Sequence, residues 1–165
     1  MSIFSFSLDC KWVDPAAVET LLGGEIPNMV IVAHYVDTEF SLAAEVTAAS
    51  AAEAAETFRT VVSSAGIVAR RFDLGLMSVT EIALELGVAR ETVRLWTTGA
   101  RREGFPPRYA SLGPSRVWAW SEVHQWARTR NTNRPDEPCT IPLHILEKAN
   151  GELAEVFNSL SAPSR

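Results

Sequence analysis

The chain has 165 residues, 47% of them apolar and 21% charged, which is enough for one large domain or two small ones with packed cores. A wholly disordered chain is excluded, because such chains lack the apolar surface that offsets ordering entropy. The formal net charge of −5 speaks against nucleic acid when taken alone, but its distribution does not. Residues 1–75 carry four basic and ten acidic side chains, a net of −6. Residues 76–134 carry nine arginines and five glutamates, a net of +4, and residues 135–165 carry two basic and five acidic side chains, a net of −3. A basic module lies between two acidic flanks.

In chain order, Phe4, Phe6, Leu8, Cys10 and Trp12 alternate with Ser5, Ser7, Asp9 and Lys11, the period of a half-buried strand. Asp14-Pro15 then supplies an N-cap and a first-turn proline. The helix that follows runs through Ala17, Val18, Leu21 and Leu22 and closes at Gly23-Gly24. Residues 29–36 read as a second strand, Asp37-Thr38 as a turn, and Phe40, Leu42, Ala44 and Val46 as the inner face of a third strand. Ser50 and Glu53 form a capping box, and Ala54, Phe58, Val61, Val62 and Ala65 line one face of an alanine-rich helix that ends at Gly66. Residues 67–74 are expected as a fourth strand. The order β-α-β-β-α-β over residues 1–75 resembles the ferredoxin-like fold, which implies an architecture and no activity.

The middle segment carries the functional signal. Ser78 and Glu81 form a second capping box, opening a helix with Val79, Ile82, Ala83 and Leu86 on its inner face. Leu86-Gly87-Val88 breaks it, and a second helix from about Arg90 to Thr98 buries Val93 and Trp96. Phe105-Pro106-Pro107 leads to residues 108–112, Gly113-Pro114-Ser115 and residues 116–120, a hairpin pattern. Ser121 is expected to cap a third helix through Val123, Trp126 and Ala127.

The stretch S-V-T-E-I-A-L-E-L-G-V-A-R-E-T-V-R-L-W resembles the helix-turn-helix of MerR-type regulators and phage excisionase-like proteins, and the hairpin would be its wing. The resemblance covers residues 77–130, about a third of the chain. Ala89 departs from it, since the family usually has Ser or Thr at that N-cap. MerR-type proteins also begin with this module, whereas here some 75 residues precede it.

The major groove of B-DNA admits one helix, and Arg90, Glu91, Arg94 and Thr98 lie opposite Val93 and Trp96 on the second helix. They are the base-reading candidates, with arginine suited to guanine and Glu91 to a cytosine amine. Thr80, at a helix start, and Arg101, Arg102, Arg108 and Arg116, in the linker and wing, are the phosphate candidates. Against this stands the plainer possibility of a solvated Arg90/Glu91/Arg94 charge network. Trp96, Trp118, Trp120 and Trp126 are expected to form an aromatic core rather than a stacking platform, with Trp118 and Trp120 on one strand face.

The tail opens with a linker containing Pro135, Pro138 and Pro142. Leu146, Ala149, Leu153, Val156 and Leu160 then follow at coiled-coil spacing, interrupted by Asn150-Gly151. Either a short coiled coil or a helix packed on its own chain fits this pattern.

Catalysis, metals and membranes find little support. Cys10 and Cys139 form no Cys-x-x-Cys pair, His34, His124 and His144 lie in separate segments, and Cys10 is expected to face the core. Asp9, Asp37 and Asp73 fall near strand ends but belong to no catalytic motif. The longest apolar run, residues 29–33, is far short of the roughly 20 residues that span a bilayer, and the N-terminal segment lacks a signal peptide's basic flank.

The expected fold class is therefore α+β, in three parts. Residues 1–75 form a ferredoxin-like domain for dimerisation, sensing or partner binding, residues 76–131 a winged helix-turn-helix, and residues 132–165 a linker and C-terminal helix. The expected function is a non-enzymatic bacterial or phage transcriptional regulator without cofactor. It is expected to be cytoplasmic and nucleoid-associated and to bind double-stranded DNA as a homodimer. Protein partners would dock on the N-terminal domain or the C-terminal helix. The alternatives are an excisionase-type DNA-bending factor and a protein-interaction adaptor that does not bind DNA.

Overall fold

The structure, a computed structural model, describes residues 1–11, 14–101, 103–130 and 138–161. It is α+β and divides into two compact units. The first comprises Met1–Asp73 with the described residues from Pro138 onward, and the second runs from Leu74.

In the first unit, strand β1 (Ser2–Cys10) leads to helix α1 (Pro15–Gly23), then β2 (Met29–Val36), β3 (Glu39–Ala48), α2 (Ala51–Ser64) and β4 (Ala69–Phe72). The sheet order is β2-β3-β1-β4, antiparallel throughout. Alternation in the sequence sets which face is dry. Phe4, Phe6, Leu8 and Cys10 of β1 stand beside Val46, Ala44, Leu42 and Phe40 of β3, and all eight are buried. Phe58 and Val62 from α2 complete this core, with Phe6 edge-on to Phe58 at 5.3 Å and to Phe72 at 5.8 Å. Burial foremost, and the Asp9 charge second, push the Cys10 thiol up to about 12, so it behaves as a small hydrophobe.

The helix starts follow their caps. Asp14 accepts from the Ala16 N–H at 3.0 Å, and Ser50 accepts from the Glu53 N–H at 3.2 Å. The Glu53 carboxylate reaches back to the Ala49 N–H at 3.0 Å, one residue beyond the reciprocal bond of a full capping box.

The tail departs from expectation. It is not a separate segment but the closing part of the first unit. Strand β8 (Cys139–Thr140) runs parallel to β1 at Phe4 and Ser5, and helix α6 (Leu143–Ser161) packs on β4 and α2. Leu146 and Leu153 are buried there, while Val156 is exposed, so the spacing that suggests a coiled coil serves packing within the chain. Asn150-Gly151 does not interrupt α6. The Asn150 side chain accepts from the Phe72 N–H at 2.6 Å and donates to the Phe72 carbonyl at 3.0 Å, extending the β4 edge as another strand would. These contacts outweigh the roughly 1 kcal/mol helix penalty of Gly151. Trp12, Arg102, Pro135 and the side chain of Leu160 lie outside what the structure describes.

The second unit contains β5 (Leu76–Met77), α3 (Val79–Leu86), α4 (Arg90–Thr97), β6 (Ala110–Leu112), β7 (Ser115–Ala119) and α5 (Trp120–Arg128). Its three strands order as β5-β7-β6. Two expectations are corrected here. Ser121 is not the N-cap of α5: the helix starts two residues earlier, with Ala119 at that position and the Trp120 N–H donating to the Gly75 carbonyl at 2.9 Å. Trp120 accordingly sits in the helix rather than on the strand face of Trp118.

Candidate nucleic-acid interface

Helix α3 begins with a reciprocal cap. The Ser78 hydroxyl accepts from the Glu81 N–H at 3.4 Å, and the Glu81 carboxylate accepts from the Ser78 N–H at 2.7 Å. Those hydrogen bonds hold the Glu81 carboxyl below its ordinary range. The helix ends at Gly87 with φ 64°, a left-handed conformation that glycine takes without a side-chain clash. There the Val88 N–H donates to the Ala83 carbonyl at 2.9 Å and the Gly87 N–H to Leu84 at 3.2 Å, the two bonds of a Schellman ending. The chain reverses and α4 starts at Arg90, three residues later, packed on α3. Ala89 is its N-cap and supplies no side-chain bond.

Helix α4 has two distinct faces. Val93 is fully buried and Trp96 nearly so, within a cluster that includes Ile82, Ala83, Trp118, Val123 and Trp126. Arg90, Glu91 and Arg94 are exposed. Arg94 grips Glu91 with two bonds, Nε to Oε2 at 2.7 Å and Nη2 to Oε1 at 2.6 Å. That contact holds the Glu91 carboxyl below its usual range and raises Arg94, with Arg90 adding a weaker pull on Glu91. Thr98 caps the end of α4, exposed, its hydroxyl donating to the Leu95 carbonyl at 3.2 Å.

The remaining candidates fall on the rest of this unit. Thr80 is exposed in the first turn of α3, where backbone N–H groups have no partner inside the helix. Arg101 follows α4, exposed, and Arg108 precedes β6, also exposed. Strands β6 and β7 form a two-residue hairpin with Leu112 opposite Ser115. Gly113 with φ 59° followed by Pro114 is the φ pattern of a type II′ turn, which matches strand twist. Arg116 stands next to this turn, exposed, opposite Ser111.

The aromatic residues are structural. Trp126 lies 5.1 Å from Trp96 and 4.9 Å edge-on from Phe105, and Phe105 meets Trp118 at 6.3 Å. Buried in this way, Trp96, Trp118 and Trp126 present no face to a base. Trp120 is half-buried and packs on His124 one helical turn later, at 5.4 Å. The Trp126 Nε1 and Ser121 Oγ atoms are buried without a hydrogen-bond partner.

The sequence alone does not single out Arg130. Arg130 lies 4.7 Å over the Trp126 ring and donates to the Glu103 carbonyl, tying the end of α5 to the segment after α4. The spacing of Trp126 and Arg130, one helical turn, was its available signal.

Elsewhere, Asp9 is held by Arg71 at 2.9 Å, which accounts for its place at a strand end without chemistry. Among the described residues no group of three His, Cys, Asp or Glu side chains is placed to hold a metal ion. No described helix is long and apolar enough to cross a membrane. Comparison with family models, characterised proteins and solved structures finds no match to this chain.

Proposed function

We propose that the second unit is a winged helix-turn-helix of the MerR/excisionase-like kind, and that the protein is a bacterial or phage regulator binding duplex DNA as a dimer. The observation that carries this reading is the division of α4: Val93 and Trp96 sealed in the core, Arg90, Glu91 and Arg94 in solvent. A helix so anchored offers its outer face to the major groove, where arginine pairs with guanine O6 and N7. The tight hairpin supports the wing assignment, with Arg116 and Arg108 on phosphates that orient the protein. The β2-β3-β1-β4 order supports reading the first unit as ferredoxin-like, with dimerisation, sensing or partner contact as its role.

The Arg94–Glu91 pair does not block base reading. An exposed ion pair contributes little, so the guanidinium exchanges the carboxylate for a base edge at small cost. The same pair favours a second reading, an adaptor whose charged helix face is simply solvated. That reading predicts no sequence-specific binding even at low salt, where phosphate attraction is strongest.

Fluorescence anisotropy on a selected duplex and a scrambled one separates the roles. Arg94→Ala is expected to weaken specific binding by about 1–3 kcal/mol and relax base preference, whereas Arg116→Ala weakens both duplexes alike. Equal loss on both duplexes for Arg94→Ala removes it from base reading.

A further inference from the structure

Residues 1–75 are acidic as a whole, yet their positive charge is gathered in one place. They contain four basic side chains, Lys11, Arg59, Arg70 and Arg71, against ten acidic ones. Arg59 is paired with Glu56 on α2. The other three line one cavity of about 670 Å³, which only two of the ten carboxylates, Asp9 and Glu39, also line. Its size falls in the range of small-molecule sites. The cavity lies wholly within the first unit, at the end of the sheet where β1 finishes and β3 begins, and α6 adds Phe157 to its wall.

A break in strand register brings the cations together. Asp9 stands opposite Arg71 and Cys10 opposite Ala69, so Arg70 is one residue more than β1 matches, a β-bulge. Neighbours on a regular strand point to opposite faces, whereas Arg70 and Arg71 are both exposed and both reach this cavity. The Lys11 N–H donates to the Val68 carbonyl at 2.8 Å, which keeps Lys11 beside the approach to the same strand. Arg71 donates from Nε to the Asp9 carboxylate at 2.9 Å, which fixes the guanidinium and leaves both Nη groups without a partner among the described residues. The side chains of Lys11 and Arg70 likewise form no ion pair among the described residues.

We propose that this cavity binds a nucleoside phosphate. A phosphate ester at neutral pH brings close to two negative charges and three strong acceptor oxygens, which suits a lysine beside two arginine forks. Asp9 is already matched by Arg71 and adds no unbalanced charge. Glu39 remains as an acceptor, and a ribose hydroxyl supplies the donor that a bare anion lacks. Phe157 and Val36 are exposed on the wall and offer the apolar surface that a base covers. A nucleoside alone leaves the cations unmatched, and inorganic phosphate leaves Phe157 and Val36 in water. Binding itself needs no DNA. Its use, tuning a regulator to a small-molecule signal, rests on the DNA-binding reading and selects sensing among the roles open to the first unit.

The test is isothermal titration calorimetry on the full chain without DNA, with AMP, GMP, CMP and UMP, their nucleosides and inorganic phosphate as probes. At least one nucleotide is expected to bind about tenfold tighter than both its nucleoside and inorganic phosphate. Lys11→Gln/Arg70→Gln is expected to weaken that nucleotide about tenfold or more, with an unchanged circular dichroism spectrum, since both side chains are exposed. Phe157→Ala is expected to reduce the preference for nucleotide over phosphate. Arg59→Gln removes the one basic side chain of residues 1–75 outside the cavity and is expected to leave the affinity unchanged. Absence of binding by all four nucleotides below about 1 mM overturns the proposal. So does a Lys11/Arg70 double variant that binds as tightly as the wild type, which puts the nucleotide elsewhere on the chain. Because no DNA is present, neither result bears on whether the second unit reads duplex sequence.

Discussion

The two units solve the same packing problem with different side chains. The first relies on a sheet whose alternating Phe, Leu, Val and Ala residues meet Phe58 and Val62 of α2. The second has short helices and three short strands, and draws its core from Trp96, Trp118 and Trp126 with Phe105 between them. A small unit has little interior, so a few large rings bury more apolar area per residue than many aliphatic ones. That economy leaves most surface positions free, and residues 76–134 carry nine arginines against five glutamates, whereas the first unit's residues 1–75 are acidic. The contrast teaches a division of labour: one unit built for regular strand pairing, the other for presenting positive charge on a rigid aromatic base.

The sharpest way to break this comparison is to cut each core separately. Trp126→Ala and Phe58→Ala are each expected to cost about 3–5 kcal/mol. Four of the five tryptophans (Trp96, Trp118, Trp120 and Trp126) belong to the second unit, so denaturant unfolding read by fluorescence reports mainly on it. Trp126→Ala should lower the fluorescence midpoint and Phe58→Ala the remaining transition seen by circular dichroism. If both variants shift both signals together, the chain unfolds as one cooperative body and the division fails.

A smaller effect sharpens the account of the first unit. Asn150→Ala strips two backbone groups of Phe72 of their partner and is expected to cost about 1–3 kcal/mol, visible in urea midpoints by circular dichroism. A negligible change would mean that water replaces the amide, and that α6 is held by Leu146 and Leu153 alone.

In the second unit, Ala89→Ser supplies the missing cap of α4. Its backbone, at φ −67° and ψ 142°, already suits an N-cap, so a gain of about 1 kcal/mol is expected in the fluorescence transition. Because Ala89 is exposed, an unchanged transition would mean that the serine hydroxyl stays in solvent and leaves the first N–H groups of α4 uncapped.

The smallest effect concerns pH. A carboxyl held below its ordinary value lends stability that is complete above the unfolded pKa and lost as pH falls through the folded one. Glu81, capping Ser78, is such a group, so the second unit should weaken as pH drops below about 4.3. Glu81→Gln should flatten that slope in thermal melts at stepped pH, and an unchanged slope would assign it to other carboxylates.

Much of this architecture is legible in the sequence itself. Alternation located β1 to β3, and Ser or Asp caps with downstream Gly located α1, α2 and α3, because local periodicity and end chemistry suffice for such elements. What was not legible depends on distant partners. Strands β5 and β8 are two residues long and exist only through β7 and β1, so they leave no period in the sequence. Ser121 is a good cap by type, yet the Gly75 carbonyl draws Trp120 into the first turn and displaces it. Asn150-Gly151 reads as a break until the Phe72 backbone is seen to bind Asn150. In the candidate interface, the exposed face of Arg90, Glu91 and Arg94 was readable from helical spacing, whereas the rotamer joining Arg94 to Glu91 and the docking of Arg130 on Trp126 were not.

The central claim is that this chain reads duplex sequence, and selection of binding sites from a random duplex library by the full-length protein tests it most directly. At about 0.1 M salt, where purely phosphate-driven binding is weakened, the account predicts an enriched motif. Its two half-sites should lie one helical turn or a multiple apart. No enrichment by a folded protein would contradict it and leave the exposed arginines of α4 as the surface of a protein-binding adaptor.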